Sequence, residues 1–261
     1  MNDRKKNPEA AAERMLKEWH PVVRTVLDGV DQEFADILFN DIFNRVYGRE
    51  ERLDIKTREL CTVAMLTAVG RLHDLKTHLK IAFNLGWSGV EIREVILLCA
   101  ICGGWPAAFD GVRMLDEYCR ENGIAGPPAG ELRHAYTGRD WIKAGYENGA
   151  ALFGKSAFED LIRAVSSGND FQEFILIAVY GKLLTRNRLE KRTVFLCLIA
   201  AFAASRSAAH LGYFISAGLK QGILSREIEE VLLYCCIYAG QEASLEGLRV
   251  FRKPAGDKQH D

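Results

Sequence analysis

The sequence predicts an all-α protein in which one helical bundle is present twice. The first observation is an internal repeat without gaps, in which residues recur 136 positions further along the chain. Cys61, for example, recurs as Cys197, and Gly104 recurs as Gly240. The second observation is the helical spacing of apolar residues, together with sparse β-branched residues and no strand-like alternation. Both observations indicate a duplicated helical unit.

Caps and helix breakers place the helices of the first half. A helix is expected over residues 9–19, and Asp31 caps the next one, whose apolar stripe (Phe34, Phe39, Phe43 and the intervening Ile37) is expected in the core. Ser88 and Glu91 have the spacing of a capping box. Helices are then expected over residues 55–69, 72–85, 89–102 and 106–119.

The second half repeats this order after a linker. Residues 121–128 are rich in glycine and proline and have the composition of a linker. We therefore expect two units, residues 1–127 and residues 128–261. In the second unit, helices are expected over residues 171–184, 190–204, 208–219 and from Ser225 onward.

The composition of the chain limits its expected binding partners and its expected cellular compartment. The chain has 34 basic and 35 acidic residues, and a net charge of −1 does not favour nucleic acid or an anionic membrane as a partner. The longest apolar run, residues 194–204, is too short for a membrane span, which needs about 20 residues. The polar N-terminal residues are not expected to be a secretion signal, and seven cysteines in mostly apolar surroundings fit reduced thiols in the cytoplasm.

The two copies differ in their ionisable residues. The first copy has Glu59, Asp74 and His78. At the equivalent positions the second copy has Phe195, His210 and Phe214. We therefore expect one working site in the first unit and a second, degenerate unit.

The residues of the first copy suit proton transfer. Asp74 and His78 are four apart on one helix, so they project from the same face. Antiparallel packing across the turn at Gly70 would bring Glu59 or its neighbours towards that face. A carboxylate fixes the tautomer of an imidazole, and the imidazole moves a proton near neutral pH. Arg71, one turn earlier, could bind a substrate carboxylate.

These residues and their order resemble the carboxymuconolactone decarboxylase family, which is related to the alkylhydroperoxidase D fold. The family pattern is a helical Glu, an acidic residue and Leu shortly before His, then Ala, Gly, a Glu-Ile-x-Glu segment and a Gly-x-Pro turn. Here the pattern reads Glu59, Asp74-Leu75-Lys76-Thr77-His78, Ala82, Gly86, Glu91-Ile92-Arg93-Glu94 and Gly104-Trp105-Pro106-Ala107. The resemblance is close over residues 50–118 and looser over residues 186–251. It implies a duplicated alkylhydroperoxidase D-like helical bundle.

The resemblance implies a lyase that needs no cofactor or metal and acts on a small carboxylated or carbonyl compound. In that reaction His78 would donate the proton, Glu59 or Asp74 would orient the histidine, and Arg71 would anchor a carboxylate. Loss of carbon dioxide from the substrate would produce an enolate, which a dry helical pocket would stabilise.

Two further residues and the assembly are implied in the same way. Trp105 is expected to wall the pocket, and His210, the counterpart of Asp74, to reach a site across an interface. Single-copy members of the family form rings of six subunits. A tandem chain is therefore expected to form a homotrimer with pseudo-sixfold architecture.

Two other functions remain open from the sequence. The peroxidase branch of the fold has Cys-x-x-Cys seven and four residues before the histidine, and here Arg71 and Asp74 occupy those positions. Cys99 and Cys102 form a Cys-x-x-Cys on a later, apolar helix, where core packing is expected. A peroxiredoxin-like antioxidant protein would need a reactive thiol pair. A non-catalytic scaffold that binds a small hydrophobic ligand is the other alternative.

Overall fold

The computed structural model describes residues 27, 29–47, 49, 51–128, 138–165, 169–186 and 188–252. Every regular element in these ranges is a helix, which confirms the all-α prediction. The helix expected over residues 9–19 and the side chains of Phe39 and Phe43 lie outside the described residues.

The first half contains most of the helices that the sequence predicts. It begins with α1 (Gln32–Asp36), a π-helical segment (Ile37–Phe43) and α2 (Asn44–Tyr47). It continues with α3 (Ile55–Ala68), α4 (Leu72–Asn84), α5 (Gly89–Leu98), a 3-10 turn (Cys99–Ile101) and α6 (Trp105–Glu121). The expected single helix after Asp31 is therefore wound as a π-helix in its middle, and the helix expected to reach Cys102 ends in a 3-10 turn.

The second half begins with two helices that the sequence analysis does not place, α7 (Gly138–Phe153) and α8 (Lys155–Val165). Then come α9 (Asn169–Phe174), a second π-helical segment (Ile175–Leu183) and α10 (Lys191–Ala204). The half closes with α11 (Ala208–Lys220), α12 (Ser225–Ala239) and α13 (Gln241–Arg252).

Side-chain caps explain where several helices begin. The Asp31 carboxylate accepts from the amide of Phe34 at 2.9 Å, and Asp54 accepts from the amide of Thr57 at 2.8 Å. The capping box predicted for Ser88 and Glu91 is present in full. At the start of α12 the cap lies one residue before Ser225, because the amide of Leu224 donates to Glu227.

The helix bounds recur at the spacing of the sequence repeat. Both ends of α10 lie 136 positions beyond those of α3, and both ends of α11 lie 136 positions beyond those of α4. The backbone after α3 turns left-handed at Gly70 (φ 69°), and its counterpart Arg206 has φ 56°. Only a shared backbone geometry explains an arginine in a conformation that normally favours glycine.

α3 and α10 pack against each other in the middle of the molecule. Nearly every side chain of both helices is buried. The buried side chains of α10 are almost all apolar, whereas α3 also buries polar ones such as Arg58, Glu59 and Thr62. Cys61 contacts its own repeat counterpart: burial, and then a hydrogen bond with Cys61, raise the pKa of Cys197 well above its ordinary value. Contact between equivalent residues is the mark of a local twofold relation between the halves.

Buried ion pairs join the halves on both sides of this axis. Arg58 of α3 lies 3.0 Å from Glu230 of α12, and both side chains are almost fully inaccessible. The repeat counterpart of Glu230 is Glu94, which accepts two hydrogen bonds from Arg186 at 2.6 and 2.7 Å. In both pairs the glutamate comes from one half and the arginine from the other; the glutamates are repeat counterparts, whereas the counterpart of Arg58 is Val194.

The apolar stripe predicted for the core is wrong for Phe34 and Ile37. These side chains are 54% and 44% exposed, because α1 lies at the surface and no other part of the described chain covers it. Phe171 and Phe174, 137 positions further along, are exposed in the same way on α9. Each half thus presents one apolar face to solvent. Within the described residues, no helix has both the length and the apolar character of a bilayer crossing.

The contact between the halves predicts an unequal response to two neutralised carboxylates. Glu230→Gln leaves the buried Arg58 charge without its partner, and we expect a loss of about 3 kcal/mol in the free energy of unfolding. Denaturant titration followed by circular dichroism measures this loss. Asp41→Asn, which removes the exposed pair of Asp41 and Arg45, should cost less than about 0.5 kcal/mol. Equal effects would contradict the role of the buried pair.

Candidate active site

The centre of the site is a carboxylate–imidazole pair. Oε1 of Glu59, on α3, lies 2.7 Å from Nδ1 of His78, on α4. The turn at Gly70 folds α4 back along α3, which brings the two side chains together as the sequence analysis expected. With Nδ1–H donated to the carboxylate, Nε2 is the ring nitrogen that can exchange a proton with a substrate.

The pair is sheltered from water. Glu59 is fully buried and His78 is 5% exposed. The second carboxylate oxygen of Glu59, Oε2, is also buried and has no hydrogen-bond partner among the residues that the structure describes. Buried carboxylate oxygens are normally hydrogen-bonded, so this atom is a place for a polar group of a ligand or a water molecule.

Three tyrosine hydroxyls meet beside this pair. Tyr234 donates to Tyr47, and the hydroxyls of Tyr47 and Tyr238 are hydrogen-bonded. The hydroxyl oxygens of Tyr234 and Tyr238 are 3.2 Å apart, and the hydroxyl of Thr62 donates to that of Tyr234 at 3.0 Å. The ring of Tyr238 packs edge-on against that of His78, with centroids 5.1 Å apart. We call Tyr47, Tyr234 and Tyr238 the tyrosine cluster.

Burial keeps the tyrosine cluster protonated. Desolvation is the largest cause that raises the pKa of Tyr47, Tyr234 and Tyr238 above its ordinary value. The negative charge of Glu59 raises all three further. The cluster is therefore a set of neutral hydrogen-bond donors placed close to a buried carboxylate.

The site is composed from both halves. Glu59, His78 and Thr62 come from the first half, whereas Tyr234 and Tyr238 are on α12 of the second. The reciprocal position in the second half is apolar: Phe195 and Phe214 replace Glu59 and His78, with ring centroids 6.2 Å apart. Phe202 stacks on Phe214 at 4.9 Å. Among the described residues, the polar constellation is present at one of the two equivalent places.

The other residues singled out from the sequence lie further out. Asp74 and Arg71 are exposed; Asp74 occupies the first turn of α4, where a carboxylate stabilises the helix dipole. Trp105 is 51% exposed at the start of α6. His210 stacks on Phe202 at 5.7 Å, and burial lowers its pKa. Glu59, not Asp74, supplies the hydrogen bond to Nδ1 of His78.

The tyrosine cluster is not predicted from the sequence above, although the repeat contains a signal for it. Tyr234 and Tyr238 are the counterparts of Leu98 and Cys102 at the offset of 136. They are also i and i+4 on one helix and so share a face. The second copy gains polar side chains at Tyr234 and Tyr238 and loses them at Phe195 and Phe214. Both kinds of difference between the copies therefore indicate the same site.

The cysteines have the features of packed thiols. All seven are free, and five of them are buried. Cys99 donates to the carbonyls of Ala64 and Val95, and its pKa is raised by its hydrogen bond with Cys102 and by burial. Cys236 is exposed. Within the described ranges, no group of three or more His, Cys, Asp or Glu side chains could hold a metal ion.

Comparison with known proteins matches the half that holds Glu59 and His78. The model of the carboxymuconolactone decarboxylase family matches residues 32–117. The chain is also similar to the 4-carboxymuconolactone decarboxylase of Acinetobacter baylyi, at 34% identity over 99 residues. That alignment covers 38% of this chain and 73% of the relative.

The burial of the thiols predicts their reactivity. We expect an aromatic disulfide reagent to modify one thiol rapidly in the native protein, because a raised pKa keeps buried thiols such as Cys99 and Cys197 neutral. Cys236→Ser should remove this rapid phase, and Cys235→Ala, at the buried neighbour, should not. Loss of two thiols from Cys236→Ser after peroxide treatment would instead support a peroxidase.

Proposed function

The chain belongs to the carboxymuconolactone decarboxylase family, and we propose that it is a cofactor-independent, decarboxylase-like lyase. Its substrate is a small carboxylated or carbonyl compound, and its chemistry takes place beside His78 in the first half. The observation that carries this proposal is the buried hydrogen bond of 2.7 Å between Glu59 and His78. A structural histidine needs no ionisable partner in a dry core, whereas a proton-transfer residue does.

The reaction requires charge stabilisation and one proton. As the bond to the carboxylate breaks, its electron pair passes to the adjacent carbon, carbon dioxide leaves, and the conjugated carbonyl becomes an enolate. Protonated His78 then donates from Nε2 to carbon, and solvent restores its proton. Glu59 holds Nδ1–H and stabilises the imidazolium, as a buried carboxylate does in other His-dependent sites.

The helix α4 offers a way to hold an extended substrate. Asp74 and His78 share one face of α4, and Arg71, the residue that precedes the helix, lies about 10 Å from His78 along the axis. Arg71 is exposed at one end of this stretch and His78 is buried at the other. An arginine there can bind a substrate carboxylate while the reacting end approaches His78. Asp74 lies between them.

Trp105 and His210 belong to the proposal as substrate contacts outside the buried pair. Trp105 is exposed and large, so it can cover a bound substrate at the protein surface. The lowered pKa of His210 keeps its imidazole neutral near pH 7, and it can then accept or donate one hydrogen bond.

We infer that the chain is a tandem of two family units, one per half, and that three chains assemble with pseudo-sixfold architecture. The matching helix bounds and the ion pairs of the two equivalent glutamates support the duplication. The exposed apolar faces of Phe34/Ile37 and Phe171/Phe174 support self-assembly, since both halves present the same surface. The free cysteines fit a reducing compartment, and we propose the cytoplasm.

The first test is turnover of 4-carboxymuconolactone, because a relative of this chain is a 4-carboxymuconolactone decarboxylase. His78→Ala should lower kcat by about 10²- to 10⁴-fold, since it removes the proton donor. Glu59→Gln keeps the shape of the side chain but removes its charge, and should lower kcat by about 10²-fold. Loss of substrate absorbance measures both.

The matched control is His73→Ala, which removes an exposed histidine from the same helix and should leave kcat within about twofold of the wild type. Unchanged turnover in His78→Ala would overturn the proposed role of the pair. Failure of the wild type on both 4-carboxymuconolactone and a set of β-keto acids would contradict decarboxylation itself.

The assembly is tested by light scattering after size exclusion. We expect three times the chain mass of 29.2 kDa for the wild type. Phe34→Lys combined with Phe171→Lys should lower this mass, because charges replace the two apolar contacts. Glu33→Gln combined with Asp170→Asn changes the net charge equally on the same helices and should leave the trimer intact. A wild type at the mass of one chain would contradict the assembly.

A further inference from the structure

Tyr238 differs from the other members of the tyrosine cluster in its exposure. Tyr47 and Tyr234 are 1% and 0% exposed, whereas Tyr238 is only partly buried, close to the end of α12. Its ring contacts the ring of His78 edge-on. Tyr238 is therefore the member of the cluster that is both partly exposed and in contact with the ring of His78.

The hydrogen bonds of the cluster run towards Tyr238. The proton of Tyr234 is donated to Tyr47. The hydroxyl of Tyr47, which accepts there, can then donate to Tyr238. Thr62 in turn donates to Tyr234, so the chain of donors runs from Thr62 through Tyr234 and Tyr47, and Tyr238 accepts from Tyr47 at its end. An acceptor of this kind keeps its own O–H for another partner, because each hydroxyl has one proton.

We propose that Tyr238, supplied by the second half, is a catalytic residue of the site in the first half and donates its hydroxyl proton in a hydrogen bond to the enolate oxygen that forms as carbon dioxide leaves. This inference rests on the proposed function. No proton is transferred in the step: the O–H bond of Tyr238 stays intact while charge develops on the substrate oxygen, and carbon is protonated by His78.

The chemistry of the cluster suits this role. A developing enolate beside Glu59 needs a donor that carries no negative charge, and a phenol held neutral by burial is such a donor. The hydrogen bond from Tyr47, which itself accepts from Tyr234, polarises the hydroxyl of Tyr238 and holds it in place before the reaction. Preorganised donors need no rearrangement while charge develops, which is the main source of electrostatic catalysis.

The repeat supports a specific role over general packing. The counterparts of Tyr234 and Tyr238 are Leu98 and Cys102, and the counterpart of Thr62 is Leu198. The reciprocal location packs well without any of these hydroxyls, around the rings of Phe195 and Phe214. Fold and packing therefore do not require the tyrosine cluster; its polar groups accompany the Glu59–His78 pair.

The activity test uses Tyr238→Phe, which removes one oxygen and keeps the ring against His78. With 4-carboxymuconolactone we expect kcat to fall by about 10²-fold, as for removal of one oxyanion donor, with KM changed by less than about threefold. The control is Tyr180→Phe, which removes a buried hydroxyl from the second half outside the cluster and should leave kcat unchanged. If Tyr238→Phe keeps kcat within twofold while His78→Ala is inactive, the inference is overturned and the proposed function stands.

A binding test separates this inference from the choice of substrate. The 4-nitrophenolate anion is a planar, delocalised oxyanion whose visible absorbance reports binding. We expect Tyr238→Phe to weaken its binding by about tenfold or more, the loss of one hydrogen bond to a charged group, and Tyr180→Phe to leave it unchanged. Such a result without turnover of the lactone would support the donor and contradict the substrate. Binding that is absent from the wild type, or equal in wild type and Tyr238→Phe, would overturn the inference.

Discussion

The packing of α3 against α10 is the contact on which the rest of the structure depends. Nearly every side chain of both helices is buried, so each helix is enclosed by other helices, and each helps to enclose the other. Residues equivalent in the repeat meet at this contact, as Cys61 and Cys197 do. A local twofold arrangement then fixes where every other element can lie. It places α12 of the second half over α3 of the first, next to the buried carboxylate of Glu59.

Some of the polar groups buried at this contact are present in both halves, and others are present in only one. Glu94 and Glu230 keep the symmetric pattern, since each of these equivalent glutamates pairs with an arginine of the opposite half. At the site the pattern is broken: one location holds carboxylate, imidazole and three phenols, and the other holds phenylalanines. Buried polar groups are stable only when their partners are present, and here Glu59 bonds to His78 while the tyrosines bond to one another.

Much of the local structure could be predicted from the sequence. The caps at Asp31 and Ser88 define helix starts because they act over three residues, and the glycine at position 70 follows α3 because its backbone is left-handed. The Glu59–His78 contact could also be predicted, because a short turn forces two neighbouring helices to be antiparallel. The sequence did not separate Glu59 from Asp74 as the partner of His78. Asp74 lies four residues before His78 on the same helix, and antiparallel packing brings Glu59 near it from the preceding helix. Burial decides between them, and burial depends on helices that are distant in the chain.

The amino-acid sequence by itself determined the helical class, the duplicated order of helices and the acid–base residues of the first half, because each depends on spacing within about one helix or on a constant offset. Tertiary structure alone decided that the site is shared between halves, because Tyr234 and Tyr238 lie far from His78 in sequence and reach it only through the contact of α12 with α3. It also decided that Phe34 and Ile37 are exposed: a helical stripe shows that a face is apolar but does not say whether the same chain covers it.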